Sequence, residues 1–464
     1  MAQRTALPNG PPPPLPVETF RRRRERFLDR IDGGVAIIPA APELVSSRDT
    51  EVPYRASSDL YYLTGFDEPR AVAVLSGYGP ARGLTLFVRP REPERELWSG
   101  VRLGIEGALA ATGAAAVHPI TELDQRLFEL VSGAERIFYP IGVDADLDLR
   151  VREMFVRARR GRPRTGMGPV ALEEVEEVLA PMRRVKDEAE LERMRIAARI
   201  TAAGHLAAMA AARPGVGEWE VEAVLEGTFR RLGAEGPAFP SIVGSGPNAT
   251  VLHYTANRRR IEDGELVLID AGAEWGMYAS DLTRTFPASG RFSGPQRAVY
   301  DVVLAAERAA IAAAGPGATV AALHDAAVRV LVGGLLELGL VAAESVDALI
   351  EQGGFRRYYM HQTSHWLGLD VHDTGLYREH GASAGLQPGM VLTVEPGLYL
   401  PADDEDLPEE FRGIGVRIED TIAITADGVE VLTGEVPVAA TEIEMMILPQ
   451  STQRDAQRSR RTKD

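Results

Sequence analysis

The sequence predicts a mixed α/β protein with two packed domains, residues 17–185 and 186–449. The chain has 464 residues, of which 45% are hydrophobic, so it is long enough to form two cores. Short strand-like runs alternate with helical stretches before about residue 160, which is typical of an α/β domain. After residue 186, a long helical stretch precedes apolar strand-like runs that contain acidic residues.

The N-terminal 16 residues predict a flexible, polyproline-like arm, since prolines occupy positions 11–14. A helix follows, with Phe20, Phe27 and Leu28 facing inward. Arg21 to Arg24 lie on this helix among acidic residues, which favours a solvated helix face over a nucleic-acid patch.

Strands and helices of the first domain follow from residue composition. Apolar and β-branched runs predict strands at 35–38, 71–75, 84–88 and 136–139, and residues 122–131 read as a helix. Residues 159–164 contain four arginines, a glycine and a proline, and predict a loop near the domain boundary. Residues 188–212, rich in Ala, Leu, Glu and Arg, predict the long helix that opens the second domain.

Two strand-like runs around residue 276 predict a β-hairpin that carries Asp270 and Asp281. If Trp275 and Gly276 form its loop, the two aspartates pair directly. Like charges at opposed positions destabilise a sheet, and a bound cation removes that penalty. The pairing therefore favours a metal site, whose two ions would lie about 3.5–4 Å apart. For either aspartate alone, an ordinary turn flanked by surface acids is the alternative.

Two glutamates extend the set of candidate ligands. Glu395 follows the strand-like run 390–394 and precedes Pro-Gly, so its carboxylate lies at a strand end. Glu419 lies in the run 415–421, where period-two alternation predicts Arg417, Glu419 and Thr421 on one polar face. A solvated edge strand is the alternative for each acid alone.

The segment 361–373 contains three of the eight histidines of the chain. His365 and His372 are seven residues apart, so a straight strand sends them to opposite faces unless Gly368 bends the chain. We therefore predict one metal ligand, His365, and one substrate contact, His372. A hydrogen-bonded core histidine is the alternative.

Charge and ligand chemistry favour two divalent ions. The four carboxylates would balance the charge of two such ions, and the imidazole adds none. An oxygen-rich ligand set favours Mn²⁺, with Co²⁺ possible, over the N/S surroundings typical of Zn²⁺.

These segments closely resemble the pita-bread metallopeptidases, specifically the bacterial Xaa-Pro aminopeptidase (aminopeptidase P) family. The resemblance rests on the spans 268–272, 278–286, 365–373, 395–397 and 417–420. It implies a pita-bread catalytic domain that hydrolyses the bond between an N-terminal residue and a following proline. It also implies a homodimer or homotetramer.

The resemblance also implies residue roles. The two metal ions would hold a bridging hydroxide, and Glu395 would also accept the proton of the nucleophile. The implied metal ligands are Asp270, Asp281, His365, Glu395 and Glu419. The implied catalytic and substrate-side residues are His253, His361, His372, Arg417 and Tyr399. Arg417 would support a ligand, and the three histidines would contact the substrate and stabilise the oxyanion. Gln362-Thr363 departs from the family, which often has a glycine there.

The resemblance extends to residues 17–449, because residues 54–66 are similar to the creatinase-like N-terminal domain of the family. This domain could narrow the cleft or form subunit contacts. Trp98 could belong to a substrate pocket, although an interface or core position is the more ordinary interpretation.

Three alternatives remain. Prolidase shares the fold and ligands but cleaves Xaa-Pro dipeptides, which requires cations for the carboxylate of proline, and no Arg or Lys is clearly assigned to that task. Creatinase shares the fold without a dinuclear metal site. Some pita-bread proteins are non-catalytic binding modules for histones or RNA, and the complete ligand set and acidic chain disfavour this class.

Composition and charge argue against several other classes of protein. The formal charge of −16 argues against a nucleic-acid partner. The absence of cysteine excludes disulfides and thiolate catalysis and fits a cytoplasmic protein. No run of 18 apolar residues and no signal peptide is found, so we expect no membrane association. Residues 450–464 lack apolar periodicity and predict a disordered tail.

Overall fold

The computed structural model describes residues 7–8, 10–79 and 82–447. The predicted disordered tail, 450–464, lies outside these residues. The chain forms two compact units. We call Pro14–Arg183 the N-terminal unit, and we call Met1–Pro13 together with Arg184–Asp464 the C-terminal unit.

The N-terminal unit is an α/β structure. Its helices are α1 (Val17–Arg30), α2 (Ser58–Thr64), α3 (Pro93–Ser99), α4 (Gly104–Thr112), α5 (Leu123–Val131), α6 (Ala145–Thr165) and α7 (Glu176–Arg184). Its strands are β1 (Gly34–Pro39), β2 (Val45–Ser47), β3 (Thr50–Glu51), β4 (Val72–Ser76), β5 (Gly83–Val88), β6 (Ala116–Pro119), β7 (Arg136–Phe138) and β8 (Ala171–Glu173). Six of them form one mixed sheet in the order β6-β5-β4-β1-β7-β8. The four predicted strands are confirmed as β1, β4, β5 and β7, and the predicted helix as α5.

The predicted loop at residues 159–164 is wrong, because α6 continues to Thr165. Pro163 lies in the last turn, where its missing N–H costs the helix a single hydrogen bond. The buried Val151, Met154 and Ala158 hold the helix against the core. Gly166 then ends it in the left-handed conformation, with its N–H donating to Arg162 O at 2.8 Å.

Helix α1 buries Phe20, Phe27 and Leu28, as predicted. The prediction of a solvated arginine face is wrong for Arg23 and Arg24, which are both buried. The Arg24 guanidinium donates to Leu63 O at 3.0 Å and Thr112 O at 2.9 Å. Both carbonyls lie at C-terminal helix ends, which leave carbonyls without helical partners. These arginines therefore cap helices inside the unit.

The C-terminal unit combines helices with small antiparallel sheets. Its helices are α8 (Glu188–Ala211), α9 (Glu218–Arg231), α10 (Gly294–Ala313), α11 (Val320–Glu337), α12 (Val346–Gln352) and α13 (Ala440–Ile447). Its strands are β9 (Gly236–Pro237), β10 (Ile242–Ser245), β11 (Leu266–Asp270), β12 (Ala273–Trp275), β13 (Tyr278–Ala279), β14 (Thr283–Pro287), β15 (Arg378–Glu379), β16 (Ala382–Ser383), β17 (Val391–Val394), β18 (Gly397–Leu400), β19 (Ile414–Arg417), β20 (Asp420–Thr425) and β21 (Gly428–Val431). The predicted long helix is confirmed as α8, which begins with a capping box of Asp187 and Glu190.

The sheets place their strand ends around one cavity. Strands β10, β11 and β14 form one sheet, β17, β20 and β21 another, and β18 and β19 a third. Buried side chains of these strands and of α8–α11 share one hydrophobic core. Because this core packs the sheets firmly, the side chains at the strand ends are held in fixed positions.

Candidate metal centre

The hairpin is formed, but its turn consists of Gly276 and Met277, with φ angles of 63° and 72°. Two left-handed residues are what a two-residue type I′ turn requires. Asp270 therefore pairs with Thr283, and the predicted pairing with Asp281 is wrong by two residues. Because the shift is even, both carboxylates still line the same cavity.

The histidine segment is a loop that turns at Gly368. The N–H of Asp373 donates to Trp366 O at 2.9 Å, which closes the turn. A side chain at Gly368 would collide with Asp373, whose carboxylate forms a buried ion pair of 2.9 Å with Lys186. Of the two alternatives for this segment, the structure therefore has the bend at Gly368 and not the straight strand. The bend brings the rings of His365 and His372 to 4.5 Å between centroids, and both line the cavity.

The two glutamates lie where strands end. Glu395 directly follows β17, as predicted, and its N–H donates to Thr363 O at 2.8 Å. The predicted single strand at 415–421 is instead divided into β19 and β20, with Glu419 between them. The chain changes partner there, since Glu419 forms a bridge with Thr283 and receives its hydroxyl hydrogen bond at 2.7 Å.

These side chains converge. Ligand atoms of Asp281, His365 and Glu419 lie within 4.8 Å of one another. His365 Nε2 is 3.5 Å from Asp281 Oδ2 and 3.6 Å from Glu395 Oε1. The other ring nitrogen, Nδ1, lies 3.1 Å from the Trp366 carbonyl and donates to it, which directs the Nε2 lone pair towards the carboxylates. Asp270 lines the same cavity.

The electrostatics of the cavity fit bound cations. Burial, with the charges of Asp270 and Glu395, raises the pKa of Asp281 well above its ordinary value. Burial and Glu419 raise the pKa of Glu395 to about 8. Asp270 Oδ1 and Asp281 Oδ1 are buried without a hydrogen-bond partner among the described residues. Divalent ions would neutralise this repulsion and coordinate the two oxygens, so the residues present fit such ions.

Arg417 connects Asp270, a candidate ligand, to Tyr399 and, through it, to His361. Its guanidinium donates to Asp270 Oδ2 at 2.6 Å and to the Tyr399 hydroxyl at 3.0 Å. The Tyr399 hydroxyl is 2.8 Å from His361 Nε2, while His361 Nδ1 lies 2.8 Å from the Gln362 carbonyl. Since that carbonyl only accepts, His361 donates from Nδ1 and receives the Tyr399 hydrogen bond at Nε2.

The cavity has a volume of about 480 Å³. His253, His361 and His372 line it, together with the five candidate ligands and Arg417. Tyr399 lies behind this surface and reaches it through His361 and Arg417. Trp98, in contrast, is 92% exposed on α3 and is not among the residues that line this cavity.

Sequence reasoning missed several residues that support the site. The Phe239, Leu252 and Val371 side chains form an apolar part of the wall, and no sequence pattern distinguished them. Arg284 was also not predicted to support the site, although it lies in the same sequence run as Asp281. Its guanidinium donates to Glu419 O at 2.6 Å and to Asp420 at 2.9 Å, which holds the backbone beside a candidate ligand.

Comparison with known proteins identifies the family. The description "Metallopeptidase family M24" matches residues 192–426, and "Aminopeptidase P, N-terminal domain" matches residues 20–139. The Xaa-Pro aminopeptidase of Escherichia coli K12 is 41% identical over 433 residues, which cover 93% of this chain and 98% of the relative. The chain belongs to metallopeptidase family M24. The Xaa-Pro aminopeptidase of Haemophilus influenzae is 39% identical, with coverage of 93% and 98%.

Solved structures of M24 proteins confirm the predicted fold class. Aminopeptidase PepP of Pseudomonas aeruginosa has a TM-score of 0.90 at 44% identity, covering 93% of this chain and 98% of that chain. A substituted Escherichia coli aminopeptidase P in complex with substrate has a TM-score of 0.89 at 41% identity, with coverage of 94% and 99%. The M24 chain therefore has a creatinase-like N-terminal α/β domain followed by a pita-bread catalytic domain.

We predict that Arg417→Ala weakens metal affinity or turnover of this M24 protein about 10- to 100-fold. Its loss leaves Asp270 without the guanidinium that orients it and Tyr399 without a donor. Metal titration and steady-state kinetics measure the effect. Arg417→Lys is the matched control, because an ammonium can reach one partner but cannot bridge both, so its defect should be intermediate. Unchanged metal binding and kinetics in Arg417→Ala would remove Arg417 from the site.

A buried histidine behind the hairpin predicts acid sensitivity. His205 on α8 is fully buried and lies 3.0 Å from Ala271 O through Nε2. Burial lowers the pKa of His205 to about 4. The unfolded chain, with an ordinary pKa of about 6.5, therefore binds the proton first. The stabilisation is complete above about pH 6.5 and is lost as the pH falls towards 4.

We expect His205→Gln to reduce this acid sensitivity. Between pH 7 and pH 4.5, the free energy of unfolding of the metal-free variant should fall by about 2 kcal/mol less than that of the unmodified protein. Glutamine retains an N–H donor for Ala271 O, so the neutral-pH stability changes less than with alanine. Denaturant unfolding at several pH values measures both. Parallel pH profiles would contradict the assignment of this acid sensitivity to His205.

Proposed function

We propose that this protein is a dinuclear-metal aminopeptidase that hydrolyses the bond between an N-terminal residue and a following proline. One observation carries the proposal: Asp270, Asp281, His365, Glu395 and Glu419 converge on a cavity that three further histidines line. This arrangement combines a cluster of metal ligands with imidazole rings that can contact a bound substrate. The names of the relatives, Xaa-Pro aminopeptidases, support the same substrate class.

We assign the metal ligands to these five residues and favour Mn²⁺, with Co²⁺ also suitable, because four of the five groups present oxygen. Bound divalent ions supply a nucleophile from water and polarise the scissile carbonyl. The protein has to hold those ions and orient the substrate. Glu395 is positioned for a second task, since its carboxylate lies 3.6 Å from His365 at the edge of the cavity and can accept a proton.

The substrate side of the cavity suits a proline at the second position. The amide before proline has no N–H, so its leaving nitrogen needs a proton donor and a wall that fits the ring. His253, His361 and His372 are the candidates for substrate contact, oxyanion stabilisation and proton donation. Hydrogen bonds with Gln362 and Tyr399 fix the ring of His361 in the wall of the cavity. The carboxylate cluster can hold the free α-amine.

The cavity disfavours the prolidase alternative. A dipeptidase needs a cation for the carboxylate of proline. Among the described residues that line the cavity, Arg417 is the one guanidinium, and it is already bonded to Asp270 and Tyr399. A longer peptide, whose carboxylate extends away from the site, does not require this cation.

The test compares kcat/KM for Ala-Pro-Ala with that for Ala-Pro, using protein loaded with Mn²⁺. We expect the tripeptide to be favoured at least about tenfold, a difference of about 1.4 kcal/mol. A preference for the dipeptide would make the protein a prolidase. Absence of turnover on both, with metals bound, would favour the non-catalytic binding module.

We also propose an oligomeric state and a cellular location for the protein. We propose a homodimer or homotetramer, because Leu97 and Trp98 on α3 are 86% and 92% exposed, and such apolar side chains favour protein contacts. We propose a cytoplasmic protein on the absence of cysteine and no nucleic-acid partner on the net charge of −16. Among the described helices, none is long and apolar enough to cross a membrane.

A further inference from the structure

The proline-rich segment Gly10–Pro13 belongs to the C-terminal unit and lies beside the hairpin that joins Asp270 to Asp281. The indole Nε1 of Trp275 donates to Gly10 O at 3.4 Å, and the guanidinium of Arg193 donates to Pro13 O at 2.6 Å. A side chain at Gly276 would lie 3.2 Å from the ring of Pro12. The segment therefore meets the hairpin at Trp275 and Gly276 and meets α8 at Arg193.

These contacts match the chemistry of polyproline. Proline has no N–H, so a polyproline segment offers carbonyl acceptors and ring faces but no backbone donors. The chain bends at Gly10 and Pro11, and the carbonyls of Gly10 and Pro13 both receive hydrogen bonds. Aromatic side chains and fixed donors are what polyproline-binding domains use.

The receiving surface is built into the fold. Arg193 is 5% exposed, its guanidinium lies 5.7 Å from the centre of the Trp275 ring, and it donates to Gly276 O at 3.1 Å. The N–H of Gly276 donates to the carboxylate of Glu235 at 3.0 and 3.1 Å. These bonds fix the donors in place before a ligand arrives. Little conformational entropy of these side chains is therefore lost when a ligand binds.

Gly233 shows how closely the segment approaches. A Cβ atom at this position would lie 2.1 Å from both the carbonyl carbon and the carbonyl oxygen of Gly10. Gly233 also has a φ of 92°, where residues with side chains are strained. The surface thus leaves room for backbone where the segment crosses it.

We propose that Trp275, Arg193, Gly233 and Gly276 form a binding site for a proline-rich segment, and that Gly10–Pro13 of the chain occupies it. The site is separate from the catalytic cavity, whose lining residues include none of these four. It includes the turn end of the hairpin that joins Asp270 to Asp281. The proposal does not depend on the peptidase activity.

The test uses fluorescence anisotropy with a labelled peptide, acetyl-Asn-Gly-Pro-Pro-Pro-Pro-Leu-Pro. Acetylation removes the free amine, so the peptide is not a substrate of an aminopeptidase. The full chain should bind it weakly, because its own arm fills the site. The full-length variant that combines Pro11→Gly, Pro12→Gly and Pro13→Gly should bind it at least about tenfold more tightly, because flexible glycines pay a larger entropy cost to dock.

Two tryptophan variants locate the binding. In the triple-glycine chain, Trp275→Phe retains a ring but loses the N–H donor, and should weaken peptide binding about 3- to 10-fold. Trp219→Phe on α9 is the matched control and should change nothing. Equal binding by the full chain and the triple-glycine chain would overturn the proposal, as would insensitivity to Trp275→Phe or an absence of binding.

A second measurement tests whether the chain's own segment shields Trp275 from solvent. Trp275 is 5% exposed with the arm in place, so quenching of its fluorescence by acrylamide should increase in the triple-glycine chain. A Trp275→Phe version of each chain subtracts the signal of the other tryptophans. Addition of the acetylated peptide should restore protection. Equal quenching of Trp275 in both chains would show that the arm does not cover this site.

Discussion

Replacing Asp281 with alanine is expected to abolish metal binding and to lower turnover at least about 10³-fold, since several kcal/mol of transition-state stabilisation by the metals are lost. Potential ligand atoms of Asp281, His365 and Glu419 all lie within 4.8 Å of one another. Removal of this carboxylate would leave the metal site one ligand short. Elemental analysis after dialysis and steady-state kinetics measure the two effects. Alanine at Asp270, His365, Glu395 or Glu419 should act similarly.

Thermal unfolding separates this effect from misfolding. In metal-free protein, burial and neighbouring acids raise the pKa of Asp281, so its ionisation costs stability at neutral pH. Metal-free Asp281→Ala should therefore unfold no earlier than the metal-free unmodified protein, while added Mn²⁺ should no longer raise its Tm. Asp301→Ala, at an exposed position on α10, is the control and should retain metals and activity. Full metal content in Asp281→Ala would refute its assignment as a ligand.

Chelation provides the matching experiment on the unmodified protein. Chelator-treated protein should lose turnover, and Mn²⁺ should restore it better than Zn²⁺, because the ligand set is rich in oxygen. Full activity in metal-free protein would contradict a metal-dependent mechanism.

His372→Ala is expected to retain its metals and to lose about 10²- to 10³-fold in turnover. His372 lies on the turn after Gly368 with its ring 4.5 Å from that of His365, so it faces the cavity beside the ligands. A donor in that place stabilises charge that develops on the carbonyl oxygen in the transition state. The metal content should stay at the level of the unmodified protein.

The measurement for His372→Ala combines metal analysis with kcat and KM. His380→Ala, exposed on a loop, is the control and should leave all three quantities unchanged. Because the proposed contact forms in the transition state, kcat should fall more than KM changes. If His372→Ala lost metal as Asp281→Ala does, the division between ligands and substrate-side histidines would be wrong.

The sequence predicted the hairpin aspartates because acids within apolar runs are uncommon. Its register error did not move them to another face, since a shift of two residues preserves the alternation. The histidine loop was not predictable in the same way. Its turn at Gly368 is held by a buried ion pair between Asp373 and Lys186, which are 187 residues apart in sequence.

The wrong prediction for Arg23 and Arg24 also has its cause in long-range contacts. Arg23 and Arg24 looked like part of a solvated run, yet the carbonyl ends of other helices draw Arg24 inward. Pro163, in contrast, has a local explanation: it lies in the last turn of α6, where its missing N–H costs one hydrogen bond and the helix continues to Thr165. Local pattern identified which residues could bind metal. Long-range contacts decided how strands and loops present them.

Product analysis on one peptide tests the central claim most directly. The substrate is a peptide with a free amine and proline second, such as Ala-Pro-Phe-Ala, incubated with protein loaded with Mn²⁺ and compared with its acetylated form. We predict release of alanine and a peptide that begins with proline, and no cleavage of the acetylated form. Cleavage after proline, cleavage of the acetylated peptide, or no cleavage with both metals bound would contradict a two-metal Xaa-Pro aminopeptidase.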